Sequence, residues 1–122
     1  MAPMDAIDRI LKPLFWAALI FAYVAAIVPA ADAPRIASSD KVEHMIAFFT
    51  LALLAALAWR GVAVWRAGLM LAGFGALIEV TQAIPILRRD ASAADFLADC
   101  GAILVGLAFG WLLRKGFARL RA

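Results

Sequence analysis

Apolar positions fall into four runs separated by short polar breaks. Uncharged residues extend from Pro13 to Ala31 and from Met45 to Trp59. A third run, from about Val62 to Ile86, is interrupted by Arg66, Glu79 and Gln82, and a fourth, Phe96 to Leu113, carries only Asp99 as a charge. The first run would be about 28 Å long as a helix, close to the roughly 30 Å of a bilayer core. The pattern predicts an all-α integral membrane bundle of four transmembrane helices, over 13–31, 41–59, 62–86 and 94–113, in one domain spanning 1–122. Short loops make helices consecutive in sequence antiparallel neighbours.

Composition agrees with this reading and excludes most others. The chain is 66% hydrophobic and 17% charged, with a mean hydropathy of +0.93. Ordinary soluble domains are about 45–50% apolar and about 25% charged. A soluble domain of 122 residues still exposes roughly 30% of its chain's surface, too much to hide this apolar excess. A soluble enzyme and a disordered chain are excluded. The net charge of +3 comes from scattered bases rather than a basic stripe with interleaved aromatics, so no nucleic-acid partner is expected. The lone Cys100, inside an apolar run, reads as a packing residue.

The first run has a rival reading as a leader. Arg9 and Lys12 precede it, and Ala31-Asp32-Ala33 loosely resembles a cleavage site. Pro34 would follow that cut directly, and the run exceeds the about 7–15 residues usual for a leader's apolar stretch. Retention as a transmembrane helix is the expectation.

Basic residues orient the bundle. With the N-terminus inside, the cytoplasmic parts hold Arg9, Lys12, Arg60, Arg66, Arg114, Lys115, Arg119 and Arg121, against Arg35, Lys41, Arg88 and Arg89 outside. Both termini are therefore expected in the cytoplasm. Only Asp5 and Asp8 among the acids fall inside; the other seven lie outside.

The helical period shows where those acids gather. Gly68, Ala72, Gly75, Glu79 and Gln82 share one face of the third helix, and Asp95, Asp99, Ala102, Gly106 and Phe109 share one face of the fourth. Gly106 and Gly110 form a GxxxG row suited to close helix approach and to a homodimer. On the second helix Asp40 and His44 stand one turn apart, with Phe48 and Leu51 continuing their face. Topology brings these polar ends to the external side. The uncharged stretches of the second and fourth helices are short, about 21–22 Å, so their polar turns dip toward the core. Intramembrane ionisable groups cost about 2.5–3.5 kcal/mol each on insertion scales, which makes this pocket the candidate site.

Structural roles compete for the same residues. Ser39 or Asp40 can cap the second helix, Ser92 or Asp95 the fourth, and Lys41 and Arg35 can meet lipid phosphates. Glu79 can serve as a hydrogen-bond lock with His44 or Arg89. Trp16, Trp59, Trp65 and Trp111, near segment ends, read as interface anchors rather than a binding box.

Asp40-Lys41-x-x-His44-x-x-x-Phe48, Glu79-x-x-Gln82, and Arg89 followed six positions later by Asp95 together resemble the VanZ-like family of small membrane proteins. The resemblance runs from about Ser39 to Gly106. It departs from the family at Asp99, where asparagine is usual, and at Ala102, where glycine is usual. It implies a bacterial plasma (inner) membrane protein of the cell envelope, with an effect on susceptibility to the glycopeptide teicoplanin.

The expected function is to bind or process a lipid-linked or amphiphilic ligand, such as an envelope precursor, at the external leaflet. Its ligand-binding set is Asp40, Lys41, His44, Glu79, Gln82, Arg89, Asp95 and Asp99. Lys41, Arg88 and Arg89 suit an anionic head group. His44 and Glu79 are the proton-transfer candidates, although no established catalytic motif is present. No metal or cofactor is assigned. A metal-dependent enzyme using His44, Glu79, Asp95 and Asp99 is a weighed alternative without a supporting motif, as are a small transporter or channel and a structural partner subunit.

Overall fold

A computed structural model describes residues 3–28, 40–85 and 93–121. They form four helices, α1 (Pro3–Ile27), α2 (Asp40–Ala58), α3 (Val64–Gln82) and α4 (Ala93–Arg121), with no strand among the described residues. Three stretches are long and apolar enough to cross a membrane: Ala6–Ile27, Val64–Gln82 and Ala93–Arg119. The apolar part of α2, Val42–Ala58, is shorter.

The helix bounds differ from the hydropathy pattern for physical reasons. α1 starts ten residues before Pro13 and carries that proline inside it. Proline there removes one amide donor and leaves the Arg9 carbonyl without its helical partner, a local loss that the helix tolerates. α4 runs eight residues past Leu113, through Arg114 and Lys115, because long basic side chains are good helix formers. α3 is shorter than expected: it ends at Gln82, and the Ala83 and Ile84 amides close a final turn onto Glu79, Val80 and Thr81 carbonyls ahead of Pro85.

α2 and α3 each pack against all three other helices, while α1 and α4 flank them. The most extensive contact is α2 with α4. These are not consecutive in sequence, and they run parallel: Ala52 lies against Gly106, and Ala56 against Gly110. A side chain on Gly106 would place its Cβ 2.7 Å from the Phe49 carbonyl oxygen and 2.8 Å from the Ala52 Cβ. Small residues on both helices thus bring the backbones together, as expected where lipid supplies no hydrophobic drive. The GxxxG row suggested for a homodimer is consumed inside the chain. Phe109 is not on this buried face; it is 54% exposed, and Gly110 takes its place.

α3 lies antiparallel to α4, with Gly68 against Leu107 and Gly75 near Asp99. Its buried row is Ala67, Leu71, Gly75, Ile78 and Gln82. α1 runs parallel to α3 and is tied to it near its C-terminal end. The Tyr23 hydroxyl meets the Thr81 Oγ1 at 3.0 Å. Thr81 donates its own proton to the Leu77 carbonyl at 2.8 Å, so Tyr23 is the donor of the pair. At the opposite end Asp8 pairs with Arg60 at 2.9 Å, and Phe15 packs edge-on against Trp59 with ring centroids 5.0 Å apart.

The exterior is apolar. Ile20, Phe21, Leu69, Met70, Val80, Leu97 and Leu104 are all more than half exposed. Side chains of this kind on an outer surface suit a hydrocarbon surround rather than water.

Candidate functional site

The parallel run of α2 and α4, with α3 reversed between them, gathers three polar turns at one end. His44 stands in the second turn of α2, Glu79 one turn before the end of α3, and Asp99 in the second turn of α4. One ligand-capable atom from each lies within 4.8 Å of the other two. Asp99 is completely buried (0% exposed), whereas His44 and Glu79 are half-buried. Asp99 is thus the enclosed member of the group, and His44 and Glu79 are its partly exposed members.

Its floor is apolar and tight. Phe48 and Ile78 are almost fully buried beneath it. Gly75 leaves room beside the carboxylate: a Cβ there would sit 3.4 Å from the Phe48 ring and 3.8 Å from Asp99 Oδ2. Neither Asp99 oxygen has a hydrogen-bond partner, and the same holds for His44 Nδ1 and Gln82 Oε1, all four atoms being buried. Buried polar atoms are rarely left in this condition, because each costs about 1–3 kcal/mol.

The remaining expected residues are placed as follows. Gln82 is buried (3% exposed), and its Nε2 donates to the Ala26 carbonyl of α1 at 2.9 Å. It is thus a tie between helices as well as a neighbour of the polar group. Asp95 is half-buried in the first turn of α4, where the positive helix end favours a carboxylate, and it is not part of the three-residue group. Asp40 and Lys41 open α2. Their side chains, together with Arg35, Ser39, Arg88, Arg89 and Ser92, lie outside the described residues. Glu43, on the same polar turn as His44, is half-buried with one carboxylate oxygen enclosed. Its position next to His44 is legible in the sequence, although it lies off the face shared by Asp40 and His44.

Farther along the bundle, α1, α2 and α3 form an open-sided apolar pocket of about 410 Å³, lined by Phe15, Leu19, Ala55, Leu71, Phe74 and neighbours that include Trp16 and Trp59. Two tryptophans expected only as interface anchors thus line a pocket. Trp65, near the start of α3, and Trp111, well inside α4, remain exposed, and Lys115 stacks over Trp111 at 3.9 Å. Phe74 is five residues from Glu79 on α3, about 7.5 Å along the helix. The other lining residues extend away from the polar group, to Trp59 and Val62 beside the base-rich end of the bundle.

The base-rich end has structural work that composition did not indicate. Arg114 donates from Nε to the Ala56 carbonyl at 2.6 Å, from Nη1 to Val62 at 2.8 Å and from Nη2 to Trp59 at 2.9 Å. One guanidinium thus meets a carbonyl in the last turn of α2 and two in the turn that follows it. Arg60 bonds Asp8 and the Leu57 carbonyl, the latter at 2.7 Å.

Among the described residues, fold and site define a helical bundle with three helices long and apolar enough to span a membrane and a partly buried cluster of ionisable side chains. No family model, curated protein or solved structure matches the chain.

Proposed function

We propose that the chain is a VanZ-like protein of the bacterial plasma membrane that binds or processes a lipid-linked or amphiphilic ligand at the external leaflet. In this reading all four helices span the membrane and both termini are cytoplasmic. The shorter α2 is the central helix, sheltered by its three neighbours, and the base-rich end with Arg60, Arg114 and Lys115 faces the cytoplasm.

The observation that carries the proposal is that one bundle holds a polar group of His44, Glu79 and Asp99 at one end and an apolar pocket between α1, α2 and α3 toward the other. An amphiphile needs both, a polar contact for its head and an apolar volume for its chain. The group lies within the first or last turns of α2, α3 and α4, at the level where head groups would reside. Where the ligand is processed rather than held, His44 and Glu79 are the half-buried groups positioned to move a proton.

The test is an alanine scan of His44 and Glu79 at matched membrane levels, scored for teicoplanin susceptibility and envelope stress. Each substitution is expected to reduce the phenotype to that of the deletion strain. An unchanged phenotype in both variants contradicts the assignment.

A further inference from the structure

We propose that His44, Glu79 and Asp99 hold one divalent transition cation of the Zn²⁺ or Mn²⁺ type. One nitrogen and two carboxylate oxygens, from three different helices, lie within 4.8 Å of one another. Ligands around a cation held at about 2.1 Å are roughly 3–3.5 Å apart, so small side-chain rotations complete the geometry.

A second observation is independent of this proximity. Asp99 has no exposed surface, and both its oxygens lack a hydrogen-bond partner. The buried Nδ1 of His44 lacks one as well. A bundle that merely hid a carboxylate would surround it with donors. Beside it lie the Phe48 ring and the space left by Gly75, with His44 and Glu79 within reach.

Charge and ligand type identify the occupant. Two carboxylates and a neutral imidazole around a divalent ion give a site of zero net charge, which suits a low-dielectric location. The imidazole disfavours Mg²⁺ and Ca²⁺, which prefer all-oxygen sites, and the carboxylates disfavour Cu⁺. Three protein ligands leave a coordination position open. Asp95, which the sequence grouped with these ligands, lies outside the set. The cation site stands whether or not the amphiphile reading holds, because metal can be measured in its absence.

The full chain, purified in detergent and stripped with chelator, is titrated with Zn²⁺ and, separately, with Mn²⁺. Bound metal is measured by elemental analysis after dialysis. About one equivalent per chain is expected for at least one of the two. Asp99→Asn and His44→Gln should each weaken binding by more than about tenfold, with the helical circular dichroism unchanged. Cys100→Ser should bind as the parent does. Substoichiometric metal in the parent protein, or binding that survives either substitution, overturns the proposal. Loading the parent with Co²⁺ gives a readout that needs no variant. Visible bands of nitrogen and oxygen ligation are expected, and a thiolate band or featureless spectrum overturns the assignment.

Discussion

The side-chain amide of Gln82 donates to the main-chain carbonyl of Ala26 at 2.9 Å, joining α3 to α1 in a buried setting. A residue expected to meet a ligand is thus also a fastener. Replacing it with leucine leaves the Ala26 carbonyl without this partner. The expected cost is about 1–3 kcal/mol, read as a lower unfolding midpoint in detergent. A midpoint equal to that of the parent would show that α1 is held by its other contacts alone.

The seam between α2 and α4 depends on the absence of side chains at Gly106 and Gly110. Gly106→Ala forces a methyl group against the Phe49 carbonyl and Ala52, and Gly110→Ala against Ala56. Each is expected to destabilise the bundle by about 1–3 kcal/mol. Gly101→Ala is the contrast, since nothing lies within 4 Å of its would-be Cβ. It should be neutral or stabilising by about 0.5–1 kcal/mol, from the lower entropy cost of alanine in a helix. Thermal denaturation of the three variants side by side checks the order.

Arg114 closes the end of α2 through three carbonyls. Lysine retains the charge but has a single nitrogen and cannot span the same fork. Arg114→Ala should lower stability by about 2–3 kcal/mol, and Arg114→Lys should recover less than half of that. Equal stability of the lysine variant and the parent would assign the residue to charge alone. Chemical unfolding followed by tryptophan fluorescence separates the two outcomes.

These contacts show which features the linear pattern can carry. Hydropathy locates four helices because the apolar runs are long and their polar breaks short. It misplaces the ends of α1 and α4 because Arg9, Lys12, Arg114 and Lys115 end an apolar run without ending a helix. The spacing from Glu79 to Gln82 and from Asp95 to Asp99 puts acids at the correct ends of α3 and α4. Their convergence with His44 follows from alternating helix direction, which the short connections enforce. The rotation of α4 is less accessible: Phe109 and Gly110 are adjacent, and only the fit of Ala56 decides which one is buried. The carbonyl contacts of Arg114 and the pairing of α2 with α4 require partners more than fifty positions away, beyond any local period.

The central claim is that the buried polar group is where an amphiphile is held. Native mass spectrometry of the detergent-exchanged protein measures this most directly, through adducts that survive lipid removal. The account predicts a discrete amphiphile adduct on the parent chain and its loss in both His44→Gln and Glu79→Gln, with helical content retained. Equal adduct retention in the parent and both variants would contradict it.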